Sequence, residues 1–281
     1  MWKLDPPVHT AQEAYEVSVS RVRNAGLSTR LTAATASVVA ASDQLDLAIQ
    51  AEQVHLILPH DLVNNDITAA EMEKVYTQRM AKTGAPGRAI YDAIFASPPQ
   101  GRCPLCTQRS VTTLDHYLPK KLFPSLAVAP LNLVPACSDC NKLKLDSAPT
   151  SASDVPLHPY YDDLGDERWL KGTVVECTPA AVKFSVVAPT GWDGVLASRV
   201  KHHFKELGLA MLFASEAAEE LINIRHQLTL LETVDPQDGV RNELGRRAAS
   251  CAATRPNGWR AATYRAWHES DWFCDGGFRL A

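Results

Sequence analysis

The chain has 281 residues, 46% of them hydrophobic, with a formal net charge of −4 and a pI near 6.1. That length suits one large or two modest domains, and that hydrophobic content excludes a disordered chain. The acidic balance excludes nucleic-acid binding driven by bulk charge, so any such contact has to come from a local basic surface.

The N-terminal MWKLDPPVHT has no charged region followed by an apolar run, so no secretory signal is expected. The apolar stretch Leu31 to Ala41 is broken by Thr and Ser and is too short and polar to span a bilayer. These features predict a cytoplasmic protein with no membrane partner. Thr10 with Glu13 reads as a capping box that opens a helix carrying Ala11, Tyr15, Val19 and Val22 on one face and stopping at Gly26. Residues 28–58 suit one or two buried helices. Thr68 with Glu71 opens another, which carries Met72, Tyr76 and Met80 and ends at Gly84. A short helix runs from about Arg88 to Phe95, and Ser97-Pro-Pro-Gln100 breaks it.

Residues 101–146 change character, with paired cysteines and several prolines. Residues 147–172 read as a loop-rich connection. Thr173–Cys177 and Val182–Val187 read as a β-hairpin. From Asp193 the pattern is helical again, broken near Gly208, Pro236 and Pro256. No internal repeat is visible.

Of the seven cysteines, four form Cys103-Pro-Leu-Cys106 and Cys137-Ser-Asp-Cys140, with 30 residues between the pairs. A two-residue gap lets both thiolates of a pair face one ion, and two pairs complete a closed tetrahedral site of the structural zinc kind. Accidental cysteines or a redox pair are the alternatives, and the matched spacing favours Zn²⁺. Between the pairs lies Thr113-Leu-Asp-His-Tyr-Leu-Pro-Lys120. Leu131-Asn-Leu-Val-Pro-Ala runs into the second pair, which continues as Asn141-Lys-Leu-Lys144. Asp115 and Asn141 offer hard oxygen ligands suited to Mg²⁺ or Mn²⁺. His116 can accept a proton near neutral pH.

The order Asp-His, then Asn, then Cys-x-x-Cys-Asn with Lys close behind resembles the HNH endonuclease family over about residues 101–146. The resemblance implies a ββα-metal module, two strands and a helix around one divalent ion. It gives His116 as the general base, Asp115 and Asn141 as ligands of the catalytic Mg²⁺ or Mn²⁺, and Asn132 as a brace for the loop carrying the base. It implies cleavage of DNA to 5′-phosphate and 3′-hydroxyl ends. Many family members carry His where this chain has Asn141. The long helical flanks and the Asp-His-Tyr-Leu-Pro-Lys segment are similar to bacterial anti-phage defence nucleases, which implies an antiviral effector working with an ATPase or sensor partner.

The expected fold is therefore α+β, with a helical region over 1–98, the HNH module and following loop over 99–170, and a β-hairpin with a helical region over 171–281. Lys120, Lys142 and Lys144 are candidate phosphate contacts, with a solvated charged face as the alternative; for Lys120 and Lys121 the two readings are even, and Lys144, one turn into the helix after Asn141, is favoured as a contact. His158-Pro-Tyr-Tyr-Asp-Asp163 reads as a loop packing Tyr160 and Tyr161 against the module. His202 and His203, adjacent on a helix, point apart and cannot easily share a metal. Arg241, Arg246, Arg247, Arg255, Arg260 and Arg265, mixed with Trp259, Tyr264, Trp267 and Trp272, read more naturally as an amphipathic layer than as a nucleic-acid grip. Two further functions stay open: a zinc-stabilised partner-binding module, and an RNA nuclease of the same chemistry.

Overall fold

The computed structural model describes residues 1–144 and 148–279, so Leu145 and Asp146 at the end of the cysteine-bearing stretch lie outside the described residues. The architecture is α+β, with three two-stranded antiparallel sheets among the described residues. The chain divides into two compact units, Met1–Asp163 and Leu164–Ala281. No helix among the described residues is long and apolar enough to cross a membrane.

In the first unit the Thr10–Glu13 capping box forms as expected and opens α1, Ala11–Val19. The helix stops well before Gly26, because the Asn24 side chain accepts from the Leu27 amide and starts a new helix, α2, Ala25–Ala33. Gly26 lies in the first turn of α2 rather than ending α1. Helix α3, Thr35–Gln50, follows directly. Two short strands, β1 (Leu62–Val63) and β2 (Ile67–Thr68), pair ahead of α4, Ala69–Lys74, which Thr68 and Glu71 cap reciprocally. This helix runs on through one wide π-type turn, Val75–Met80, before α5, Arg88–Ala96.

Buried side chains of these helices meet those of the cysteine-bearing stretch in one core. Tyr15, Leu31, Met72, Tyr76 and Met80 pack in the same cluster as Leu114, Ala127 and Leu133. The expected boundary at residue 98 therefore falls inside the unit, because neither side of it has a separate apolar core to close. Strand β3, Thr113–His116, pairs antiparallel with β4, Leu133–Ala136, in the register Asp115↔Val134 and His116↔Leu133. A two-stranded sheet has two open edges, which is where Pro135, lacking an N–H, is tolerated. Helix α6, Ser138–Leu143, follows one residue later.

In the second unit β5, Leu170–Val175, and β6, Ala181–Val186, form the expected hairpin, starting three residues earlier than the β-branched run indicated. Gly172 explains the extension: its backbone lies so close to α10 (Trp259–Glu269) that a Cβ would sit 2.7 Å from the Ala262 carbonyl oxygen. The remaining helices are α7 (Gly194–Glu206, capped by Asp193), α8 (Leu209–Val234), α9 (Gly239–Thr254) and the short α11 (Asp271–Cys274). Gly208 separates α7 from α8 in the left-handed conformation at φ +59°. Phe184, Phe213, Leu228, Leu244, Trp267 and Phe273 fill this unit's interior.

Arg30 ties α2 to the start of α4, with Nε 2.9 Å from Asp66 Oδ2 and Nη1 2.9 Å from Glu71 Oε1. The Arg30 guanidinium, and then the Thr68 amide, hold the Glu71 carboxyl down at about 2. A depressed carboxylate stabilises the fold above its ordinary pKa and ceases to as the pH falls through the folded value. Thermal melts of Glu71→Gln should therefore lie below wild type at pH 7, with the gap closing between about pH 4.5 and pH 2.

Candidate functional site

The four paired cysteines are all buried, and their sulfur atoms lie within 4.8 Å of one another. A tetrahedral zinc with bonds of about 2.3 Å sets sulfurs about 3.8 Å apart, and Cys106 Sγ lies 4.0 Å from Cys137 Sγ. The donor set and spacing thus fit a metal such as zinc. The first pair sits on a tight turn: Thr107 takes positive φ and its amide donates to the Cys103 carbonyl at 2.8 Å. The second caps α6, where the Cys140 amide donates to Cys137 Sγ at 3.4 Å. The Arg109 amide donates to Cys106 Sγ at 3.5 Å. Contact with Cys103 pulls the Cys106 and Cys137 thiols below their ordinary range, while contact with Cys106 pushes Cys103 up and contact with Cys103 pushes Cys140 up, as expected for four close groups that titrate together.

A second constellation stands at the other end of β3. An open cleft of about 360 Å³ is lined by Asp115, His116, Lys120, Asn141, Lys142 and Tyr76, among others, and by none of the four cysteines. The structure therefore brings together Asp115, His116 and Asn141, which lie on a strand end and the first turns of a helix. His116 closes β3, so its side chain and that of Asp115 both reach the cleft although neighbours along a strand normally diverge. His116 Nε2 lies 2.9 Å from the Ala127 carbonyl oxygen. A carbonyl only accepts, so a neutral ring carries its proton on Nε2 and its lone pair on Nδ1. The Asn141 side chain and Asp115 Oδ1 have no protein hydrogen-bond partner among the described residues.

Asn132 lies beneath the cleft rather than in it. Its Oδ1 accepts from the Leu118 amide at 2.7 Å, and its Nδ2 donates to the carbonyls of Leu118 at 3.0 Å and Leu126 at 3.1 Å. One fully buried amide thus holds both ends of the loop that supplies Ala127 to His116. From the other side, His158 Nε2 donates to the Leu131 carbonyl at 3.0 Å and the Tyr160 hydroxyl to the Leu133 carbonyl at 2.7 Å. Tyr161 reaches Asp46 on α3 at 2.7 Å.

The lysines divide. Lys142 is exposed at the cleft. Lys120 lines it too, with Nζ 4.0 Å from Glu73 Oε1 and above the Tyr76 ring. Lys144 departs from the expected phosphate contact. It is buried, and its ammonium donates to Asp115 Oδ2 at 2.9 Å and to the His116 carbonyl. The end of α6 turns this side chain under β3, where a buried cation requires a carboxylate partner. Tyr76 is a residue that sequence reasoning saw only as apolar packing: its ring meets His116 edge-on, centroids 4.4 Å apart, and its hydroxyl donates to the Leu114 carbonyl at 3.3 Å. The signal for that contact, the π-type turn that rotates Tyr76 toward the hairpin, is not written in the residue pattern.

No protein-family model matches the chain, and no solved structure matches it. Over 178 residues the chain is 32% identical to protein ea31 of Escherichia phage lambda, a match covering 62% of this chain and 60% of that relative.

Zinc analysis of protein purified without chelator should give about one equivalent per chain. Cys106→Ser and Cys137→Ser should each lose the metal and melt at lower temperature. Metal-free wild-type protein with an unchanged melt would show that the four thiols hold the fold without an ion.

Proposed function

We propose that the chain is a metal-dependent HNH endonuclease that hydrolyses phosphodiester bonds in DNA. The observation that carries this reading is the convergence of Asp115, His116 and Asn141 on one open cleft that the four-cysteine cluster does not share. A scaffold or partner-binding module has no need of these three side chains in one place, which is why the rival reading is weaker.

In this proposal His116 Nδ1 takes the proton of the attacking water. The Ala127 carbonyl fixes the tautomer and, by accepting from Nε2, stabilises the ring as it becomes charged. Tyr76 limits rotation of the ring from its edge. Asp115 and Asn141 would hold a Mg²⁺ or Mn²⁺ ion through oxygen, and Lys144 orients the Asp115 carboxylate by donating to Oδ2. When bound, that ion supplies Lewis-acid stabilisation of the charged phosphate and leaving oxygen. Lys120 and Lys142 attract the flanking phosphates as charges, without reading sequence. Asn132 keeps the loop, and hence the base, in place. A structural Zn²⁺ on Cys103, Cys106, Cys137 and Cys140 completes the module. An effector role in bacterial anti-phage defence, with an ATPase or sensor partner in the cytoplasm, is carried by the family resemblance alone; the relative from phage lambda lends it no support.

Purified protein incubated with plasmid and Mg²⁺ or Mn²⁺ should nick or cut it, and His116→Ala should cut about 10²–10⁴-fold more slowly. Equal cutting by the two proteins, or no cutting by wild type with either ion, would overturn the reading. Cleavage of RNA but not of duplex or single-stranded DNA would move the proposal to an RNA nuclease.

A further inference from the structure

Several arginines of the second unit are ion-paired. Arg241 pairs with Asp271, Arg246 and Arg247 with Glu243, Arg260 with Glu220 and Arg279 with Glu232. Arg247 also bonds the Tyr264 hydroxyl, and the charges of this group are met by carboxylates on α8, α9 and α11. Arg168 and Arg265 are different. Together with Lys171 they line a concave pocket of about 220 Å³ between the start of β5 and α10. Among the described residues no carboxylate pairs with any of the three; Glu269 lines the same pocket, giving three cations to one anion.

The crowding is built into the backbone. Asn257 Oδ1 accepts from the amide of Trp169 at 2.8 Å and of Leu170 at 3.2 Å, and Asn257 Nδ2 donates to the Glu167 carbonyl at 2.8 Å. One side chain thereby clamps the chain on both sides of Arg168. Gly172 brings β5 into backbone contact with α10, and Lys171 beside it lines the same pocket as Arg265. Arg265 spends one donor on the Pro256 carbonyl at 3.2 Å, which fixes the guanidinium at the pocket. Burial, and after it the charge of Arg168, lowers the Arg265 pKa from its ordinary value. Glu269 offsets part of this charge, and a bound anion would offset more.

We infer that the pocket formed by Arg168, Lys171 and Arg265 is a binding site for a backbone phosphate of the nucleic acid. The identity of that ligand rests on the proposed function; the site rests on this unit alone. A planar fork of guanidinium donors suits a phosphate, and a phosphate carries no base information. The pocket would thus add affinity to a chain whose net charge is negative, and no sequence specificity.

The test is fluorescence anisotropy of a labelled duplex against full-length protein over a range of salt, with no Mg²⁺ or Mn²⁺ added so that nothing is cut. Arg168→Gln and Arg265→Gln should each weaken binding several-fold and reduce the slope of log affinity against log salt by about 0.9. Arg265→Lys should keep the slope, and Arg246→Gln, whose partner is Glu243, should match wild type. Wild-type affinity and slope in both glutamine variants would overturn the inference. So would stabilisation of wild type but not of the double variant by inorganic phosphate, if duplex affinity ignores both substitutions: the pocket would then hold a free anion. Cleavage is scored separately. A protein that binds duplex through these arginines and cuts nothing keeps the site and loses the nuclease reading, and the converse result does the opposite.

Discussion

Four thiols within 4.8 Å of one another are the constraint on which the rest of the first unit depends. They join the turn before β3 to the residue that caps α6, so they fix the ends of a hairpin only four residues long on each strand. A two-stranded sheet of that length is marginal in water by itself. A cation held by the four thiols would cross-link its flanks and remove the freedom that otherwise melts it. Helix α6 then leaves the cluster at a set angle, which decides where Asn141 and Lys144 fall relative to β3.

At the far end of the hairpin the constraint is a side-chain amide. Asn132 satisfies three backbone groups of one loop from a fully buried position. Leaving such groups unpaired would cost about 1–3 kcal/mol each, so the loop has one conformation and the Ala127 carbonyl meets His116 at one angle. The buried Lys144–Asp115 pair does the same for the carboxylate. Exchanging that pair for apolar residues need not destabilise the fold, so what it contributes is the orientation of an oxygen toward the cleft.

The local elements were readable because each carried its own chemistry: the capping boxes at Thr10 and Thr68, the Asp193 start of α7 and the Gly208 break all formed where side-chain hydrogen bonding or backbone conformation demanded. The cysteine cluster was readable from spacing, since a two-residue gap lets both sulfurs of a pair face one ion and two such pairs supply four donors. Long-range packing was not readable. Nothing in the residue order marks Tyr76 as the edge of the His116 site, or shows that residues 1–98 share a core with Leu114 and Leu133. Lys144 was misplaced for the same reason: sequence gave its distance from Asn141 along the chain, while the side of α6 it occupies depends on the hairpin beneath. In the arginine-rich C-terminal stretch the residue order does not show that Arg241, Arg246, Arg247 and Arg260 pair with Asp271, Glu243 and Glu220 while Arg265 lines a pocket.

The proposed function requires one short hairpin to support two metal sites with separate work, a thiolate site that holds shape and an oxygen site that binds the reacting phosphate. Anomalous diffraction from crystals grown with Mn²⁺ tests it most directly. The account predicts a zinc peak among Cys103, Cys106, Cys137 and Cys140 and a distinct manganese peak in the cleft against Asp115 and Asn141, with the manganese peak lost in Asp115→Ala. A single peak at the cysteines, with the cleft still empty at high Mn²⁺, would contradict it.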